Sequence, residues 1–298
     1  MKGHGLPALA SAWLQNVRRL MVPRPPWRAD AEFDYYRVDP AELGAQLARQ
    51  KAWQRQGHFV GLGVVQALGL LDRTRLAGKR VLEIGAGECM LSQALLVAGA
   101  SEVWAVDAVP KQLWAAAASQ PADGPLHCVI ADAMDLPFSD GSFDFVVANL
   151  VIHHIRPLSR LLPELVRVLA PGGRLLALEP APIVGLFVHD QTSDNEAPLW
   201  PQTVTQALAD AGLLETAHQY LWLRLQTTRF GPLSPSYRVS GARPGQMPAQ
   251  LGLRRSLRPS ALPGLHIDSG CTFAPLVEQQ LDEIVACGSR EGLLKKAE

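Results

Sequence analysis

The stretch Arg80-Val81-Leu82-Glu83-Ile84-Gly85-Ala86-Gly87-Glu88-Cys89 decides the fold. Its first half is a short, mostly apolar run of strand type, and its second half is a turn with two glycines. Glycine lets a backbone come close to a ligand. Leu91 to Ala98 then reads as a helix, and the alternation continues outward. Glu102 to Val106, Leu126 to Ala131, Phe143 to Ala148 and Arg174 to Leu178 read as further strands. Lys111 to Ser119 and Leu158 to Leu169 read as helices, with Pro163 blurring the start of the second. Near-continuous apolar strands are what a parallel sheet covered on both faces requires. The expected fold is a doubly wound α/β sheet, which binds ligands beyond the carboxyl ends of its strands.

The full chain has 298 residues, enough for one large α/β domain or two small ones. At 48% hydrophobic and 19% charged, it has a core-forming composition and not that of a disordered chain. Lys plus Arg and Asp plus Glu are both 28, so a whole-protein basic footprint for nucleic acid is absent. The four cysteines form no CxxC pair, which points to neither a zinc site nor a disulfide framework and suits a reducing, cytoplasmic setting. No apolar run reaches the roughly 18 to 20 residues of a membrane span. Leu175 to Val188 comes nearest and is broken by Glu179, Pro180 and Pro182.

Three zones organise the chain: an N-terminal helical segment and lid over residues 1–58, the α/β core over 59–226, and a turn-rich C-terminal extension over 227–298. Leu9, Trp13, Val17, Leu20 and Met21 make one apolar helical face. Residues 6–21 are therefore expected to dock on the protein itself, with peripheral membrane contact as the alternative. Asp39 before Pro40 signals a helix start. Residues 30–58, with Asp34-Tyr35-Tyr36-Arg37, are expected to cover the ligand. A late helix is expected over Pro275 to Ala286.

The strand ends carry the chemistry. Asp107 follows Gly87 by 20 residues, which suits a carboxylate accepting both ribose hydroxyls of a nucleotide and also suits a helix N-cap. Glycine turn and acid together fit several nucleotide cofactors, NAD included. Beyond them come Ala131-Asp132-Ala133-Met134-Asp135-Leu136-Pro137-Phe138, Asp140-Gly141-Ser142-Phe143-Asp144 and Leu169-Ala170-Pro171-Gly172-Gly173. With these motifs in this order, residues 75 to 180 resemble the class I S-adenosylmethionine-dependent methyltransferases, in particular their bacterial small-molecule branch of the type 11 kind.

The resemblance implies a Rossmann-like sheet, S-adenosylmethionine as cofactor, and a set of roles. Glu83, Gly85, Ala86 and Gly87 would serve the methionine end, Glu83 indirectly or through water. Asp107, with Ala108 beside it, would bind the ribose hydroxyls. Asp132 would accept from the adenine amino group, and Ala133 would offer a backbone N–H to the ring. Asn149 and Leu150 would contact the amino-acid portion through their backbone. Cys89 departs from the family at a position where a third glycine is common, and no direct role is expected of it. Asp140-Gly141, Pro171-Gly172-Gly173 and Asp144 read as turn or backbone devices.

Methyl transfer from a sulfonium asks the protein to align donor and acceptor within about 3–3.5 Å and to exclude water. A base is needed only if the acceptor arrives protonated. His153 and His154, just beyond the fourth strand, are the candidate catalytic residues, with His153 ranked first. Both also suit a purely structural role in the cofactor pocket. His189-Asp190 is a rival pair in a polar loop.

Absences narrow the acceptor. There is no Asp/Asn-Pro-Pro-aromatic motif for exocyclic base amines, no Pro-Cys nucleophile, and no carboxylate set for a metal. A small, partly apolar acceptor is expected, walled by residues drawn from Tyr35, Tyr36, Trp53, Phe59, Trp200, Tyr220 and Trp222. The reading is a cytoplasmic methyltransferase acting on a small molecule in bacterial secondary or cell-envelope metabolism, with no nucleic-acid partner. The alternatives are an RNA or protein methyltransferase using Arg18-Arg19 or Arg254-Arg255, an oxidoreductase, and a non-catalytic cofactor-binding module.

Overall fold

The computed structural model describes residues 27–121, 123–182, 199–223 and 234–294. The amphipathic segment 6–21 and the His189-Asp190 pair lie outside the described residues. A nine-stranded sheet forms the centre. It comprises β1 (Arg80–Ile84), β2 (Glu102–Asp107), β3 (Leu126–Ile130), β4 (Phe143–Asn149), β5 (Leu169–Pro180), β6 (Leu214–Leu223), β7 (Ser234–Ala242), β8 (Leu257–Pro259) and β9 (Leu265–Asp268). The spatial order is β6-β7-β5-β4-β1-β2-β3-β9-β8. From β1 the chain winds out through β2 to β3, then returns to the other side of β1 as β4 and β5, all in parallel. The reversal between β1 and β4 is the switch point at which open α/β sheets hold ligands.

Side-chain alternation sorts the strands into two cores. Val81 joins one with Leu43, Val65, Leu95, Trp114 and Val277, while Leu82 and Ile84 join the other with Phe143, Leu161, Leu165 and Val204. The first core is covered by α1 (Ala29–Tyr35), α2 (Pro40–Arg55), α3 (Phe59–Ala67), α4 (Arg73–Leu76), α5 (Met90–Val97) and α6 (Pro110–Ser119). The second is covered by α7 (Leu158–Val168) and α8 (Pro201–Asp210). A last helix, α9 (Ala274–Arg290), lies over the first core and runs past both expected ends. The Asp39 carboxylate accepts from Ala41 N at 3.0 Å, so the expected cap of α2 forms with Pro40 in the first turn. Helix α7 begins at Leu158 and carries Pro163 inside it.

Two findings differ from the sequence reading. Strand β5 runs from Leu169, five residues before the expected start, and its register slips between the partners of Phe143 and Phe145. The zone boundary at 226 falls between β6 and β7, which pair antiparallel with each other, and β7 also pairs with β5. Residues 227–298 thus supply three strands of the same sheet. One of them, β9, extends it in parallel beyond β3. Among the described residues, no helix is long and apolar enough to cross a membrane.

Candidate functional site

A cleft of about 700 Å³, measured out to its open mouth, lies over the carboxyl ends of β1, β2, β3 and β4. Gly85 and Gly87 reach it from β1, Asp107 and Ala108 from β2, Asp132 and Ala133 from β3, and Leu150, Val151, His154 and Ile155 from β4. Trp27, Glu32 and Tyr36 cover it from the N-terminal side, and Gln112 of α6 completes the wall. Glu83, Ala86, Asn149 and His153 do not line it.

The glycines are needed where they stand. A Cβ on Gly85 would come within 2.2 Å of the Val151 methyl, and its φ is +61°. Gly87 has φ +52° and only open space where a Cβ would be, so its backbone faces the cleft. Ala86 lies between them with its N–H donated to Val106 O at 3.0 Å. Cys89 is left-handed too, at φ +59°, and stands at the start of α5. That backbone conformation explains why glycine is common at this position. The Cys89 thiol is buried, its sulfur 4.0 Å from that of Cys128, and the contact with Cys128 together with burial pushes its pKa well up.

Asp107 ties two loops together. One carboxylate oxygen accepts from Gly87 N at 2.9 Å and the other from Val109 N at 3.0 Å. Each oxygen retains a second acceptor direction for a ligand hydroxyl. Burial pushes this carboxyl up to about 6 against the pull of those two N–H groups, with Glu32 raising it and His154 lowering it. Burial also raises Asp132, opposed by the Met134 N–H at 2.8 Å. Glu83 lies beneath the cleft, fully enclosed, and burial pushes it up to about 8 while the Ser92 hydroxyl donates to it.

Beyond β4, Leu150 turns left-handed at φ +56° and donates to Leu178 O at 2.8 Å. The following turn, Ile152–His154, is held by a residue the sequence reading took only as a break in an apolar run. Glu179, at the end of β5, is 0% exposed and accepts from Val151 N and Ile152 N at 3.1 and 2.9 Å. Its second oxygen meets His153 Nδ1 at 2.6 Å. His153, ranked first as base, is thus turned onto Glu179, whereas His154 lines the cleft with its Nδ1 3.6 Å from Glu32 Oε1. The signal for Glu179 was an acid at a strand's carboxyl end. Nothing in the local pattern Asp30, Glu32, Asp34 separates Glu32 from its neighbours.

Of the aromatics expected as acceptor walls, Tyr36 reaches the cleft, and Tyr35 packs on it at 4.8 Å. Phe59, Trp200 and Tyr220 are exposed and do not line it, nor does Trp53, and the Trp222 side chain lies outside the described atoms. The cleft lining contains three carboxylates, Glu32, Asp107 and Asp132, and no lysine or arginine among the described residues. That set fits S-adenosylmethionine, a cation with hydroxyls and an adenine amino group to donate.

Comparison with known proteins agrees. Residues 82–177 match the model of the methyltransferase domain family. The biotin biosynthesis bifunctional protein BioHC of Cellvibrio japonicus is 34% identical over 62% of this chain and 37% of its own length. A malonyl-[acyl-carrier protein] O-methyltransferase of Erwinia billingiae is 36% identical over 53% of this chain and 61% of its own. The demethylmenaquinone methyltransferase of Thermus thermophilus is 40% identical over 37% and 52%. The chain thus spans less than two thirds of each of these relatives. In fold, 68% of it superposes on 98% of a Haloferax volcanii methyltransferase solved with its Trm112 activator, with TM-score 0.54 and 21% identity. Residues 82–177, about a third of the chain and centred on the β1–β4 switch point, are therefore the part that matches the methyltransferase domain family.

Proposed function

We propose that the protein transfers a methyl group from S-adenosylmethionine to a small-molecule acceptor. The observation that carries this reading is the acid-lined cleft, free of lysine and arginine among the described residues and built at the switch point of the sheet. Relatives named for demethylmenaquinone and for malonyl-[acyl-carrier protein] support an acceptor other than nucleic acid. The bound donor supplies an activated methyl group. The chain's own work is positioning and water exclusion. Asp107 and Asp132 accept from the donor's hydroxyl and amino groups, the glycine loop admits it closely, and Trp27 and Tyr36 shield it. Where the acceptor carries a proton, His154 is the histidine in place to take it, while His153 and Glu179 hold the turn that presents it.

The test has two stages. Calorimetry with S-adenosylhomocysteine should show binding, and NAD should not compete. Methyl-labelled donor should then label a low-molecular-weight fraction of a bacterial extract. Label entering RNA or protein side chains alone, and not a carrier-bound acyl group released by mild base, would overturn the acceptor class, and binding without any labelling would favour a non-catalytic module.

A further inference from the structure

Glu32 lies on α1, outside residues 82–177 that match the family, yet it belongs to the cleft. It is only 7% exposed. Its Oε1 is 3.6 Å from His154 Nδ1, and its charge acts on Asp107. Those two contacts place it on the β4 side of the cleft, beside His154 and within electrostatic reach of Asp107. On the reading proposed above, that side takes the methionine half of the donor, where the sulfonium charge resides.

The charge there changes during the reaction. As the acceptor's lone pair bonds the methyl carbon, the carbon–sulfur pair stays on sulfur and the sulfonium becomes a neutral thioether. Any proton on the acceptor leaves to a base or to water. A carboxylate held out of water near that sulfur interacts with the donor more strongly than with the product. Asp107 and Asp132 face groups that donor and product share, the ribose hydroxyls and the adenine, so their hydrogen bonds are common to both ligands. We propose that Glu32 is the residue that makes the cleft prefer the cationic donor over its demethylated product, which favours product exchange after each transfer.

Dissociation constants for S-adenosylmethionine and S-adenosylhomocysteine, measured by calorimetry, test this without turnover. In Glu32→Gln the donor should weaken by about tenfold or more, while the product changes less than about twofold, since at an effective dielectric of about 20 one carboxylate as far as about 12 Å from one charge already accounts for tenfold. Sinefungin, with an amino group in place of the methylsulfonium, should follow the donor. Glu32→Asp, which keeps the charge, should keep most of the preference, and Glu32→Ala extends the series should the glutamine variant not fold. Asp132→Asn should weaken donor and product alike. Equal weakening of both ligands in Glu32→Gln would show a structural role and overturn the inference, as would an unchanged donor affinity. If wild type binds neither ligand, the reading of the cleft itself falls.

Discussion

The Asp107 carboxylate accepts from the backbones of Gly87 and Val109, so removing it undoes the loops after β1 and β2 together. Asp107→Ala leaves both N–H groups without a partner, at about 1–3 kcal/mol each where they are buried, besides losing the ligand's hydroxyls. The melting temperature and the affinity for S-adenosylhomocysteine should both fall, and an unchanged calorimetric affinity would remove Asp107 from the site. The two histidines should separate as well. His154→Ala removes a side chain that lines the cleft, so turnover should drop by a factor of about 10² or more if it is the base, with loss of the rising limb that a titrating base gives the pH–rate profile. His153→Ala cuts the link to Glu179 and loosens the turn, so it should lower turnover less and leave that limb in place. The reverse pattern in the pH–rate profiles would return His153 to the role that the sequence reading assigned to it. At this scale the cleft-lining residues Gly85, Gly87, Asp107 and Asp132 were legible in the sequence because each stands at or just after a strand end, and strand ends in a parallel sheet converge. Glu179 and Glu32 were not legible. Their roles depend on which way a side chain turns and on where an N-terminal helix comes to rest, neither of which a periodic pattern encodes.

The N-terminal segment divides into two elements with different work. Helix α1 and the residues flanking it reach the cleft through Trp27, Glu32 and Tyr36. Helix α2 lines none of it and is docked by polar contacts on the core. Gln46 Nε2 donates to Lys111 O at 3.0 Å while its oxygen accepts from the Trp114 indole. Gln50 donates to Glu88 O at 2.7 Å and accepts from Gln93. Arg49 grips the Glu88 carboxylate with two nitrogens, at 3.0 and 2.6 Å. Buried amides paired in this way are costly to unmake, since each lost partner orphans a group in a low-dielectric interior. Gln46→Leu should therefore destabilise the fold by about 1–3 kcal/mol in denaturant titration. Ligand should slow hydrogen exchange over residues 29–36 and leave residues 40–55 almost as slow as they already were. Equal slowing over both segments would mean that the whole region closes as one lid. The cap at Asp39 and Pro40 announced α2 in the sequence, but its mean polarity concealed that two glutamines, Gln46 and Gln50, are buried beside Leu43. Strands β6 to β9 were also missed. β6 and β7 mix polar and apolar residues, as antiparallel strands do, and β9 and β8 are only four and three residues long, below the length at which periodicity speaks.

Across the whole molecule, the C-terminal stretch is sewn to the site it borders. Arg255 pairs with Asp268 on β9 at 2.6 Å and with Asp135 at 2.9 Å, three residues beyond Asp132. Asp132 itself sits at the end of β3, the strand that β9 covers. The same sheet concentrates buried acid at its centre, with Glu83 on β1 and Asp107 on β2, and this sets the pH dependence of the fold. Both are protonated at low pH whether the chain is folded or not. Burial raises Glu83 from 4.5 to about 8 and Asp107 from 3.8 to about 6, so the native state keeps these protons longer than the unfolded chain does. The stability that follows is full below the unfolded values and is lost as pH rises, through about 6 for Asp107 and about 8 for Glu83. For the ligand-free protein the denaturation midpoint should decline between pH 5 and 9, by an amount set largely by Glu83, roughly 3–5 kcal/mol if its whole shift is expressed. Glu83→Gln keeps an oxygen to accept from Ser92 and carries no charge at any pH. It should match wild type near pH 5, exceed it near pH 9, and flatten the decline. Parallel curves for the two proteins would show that Glu83 is solvated in the native state and that the pH dependence arises elsewhere.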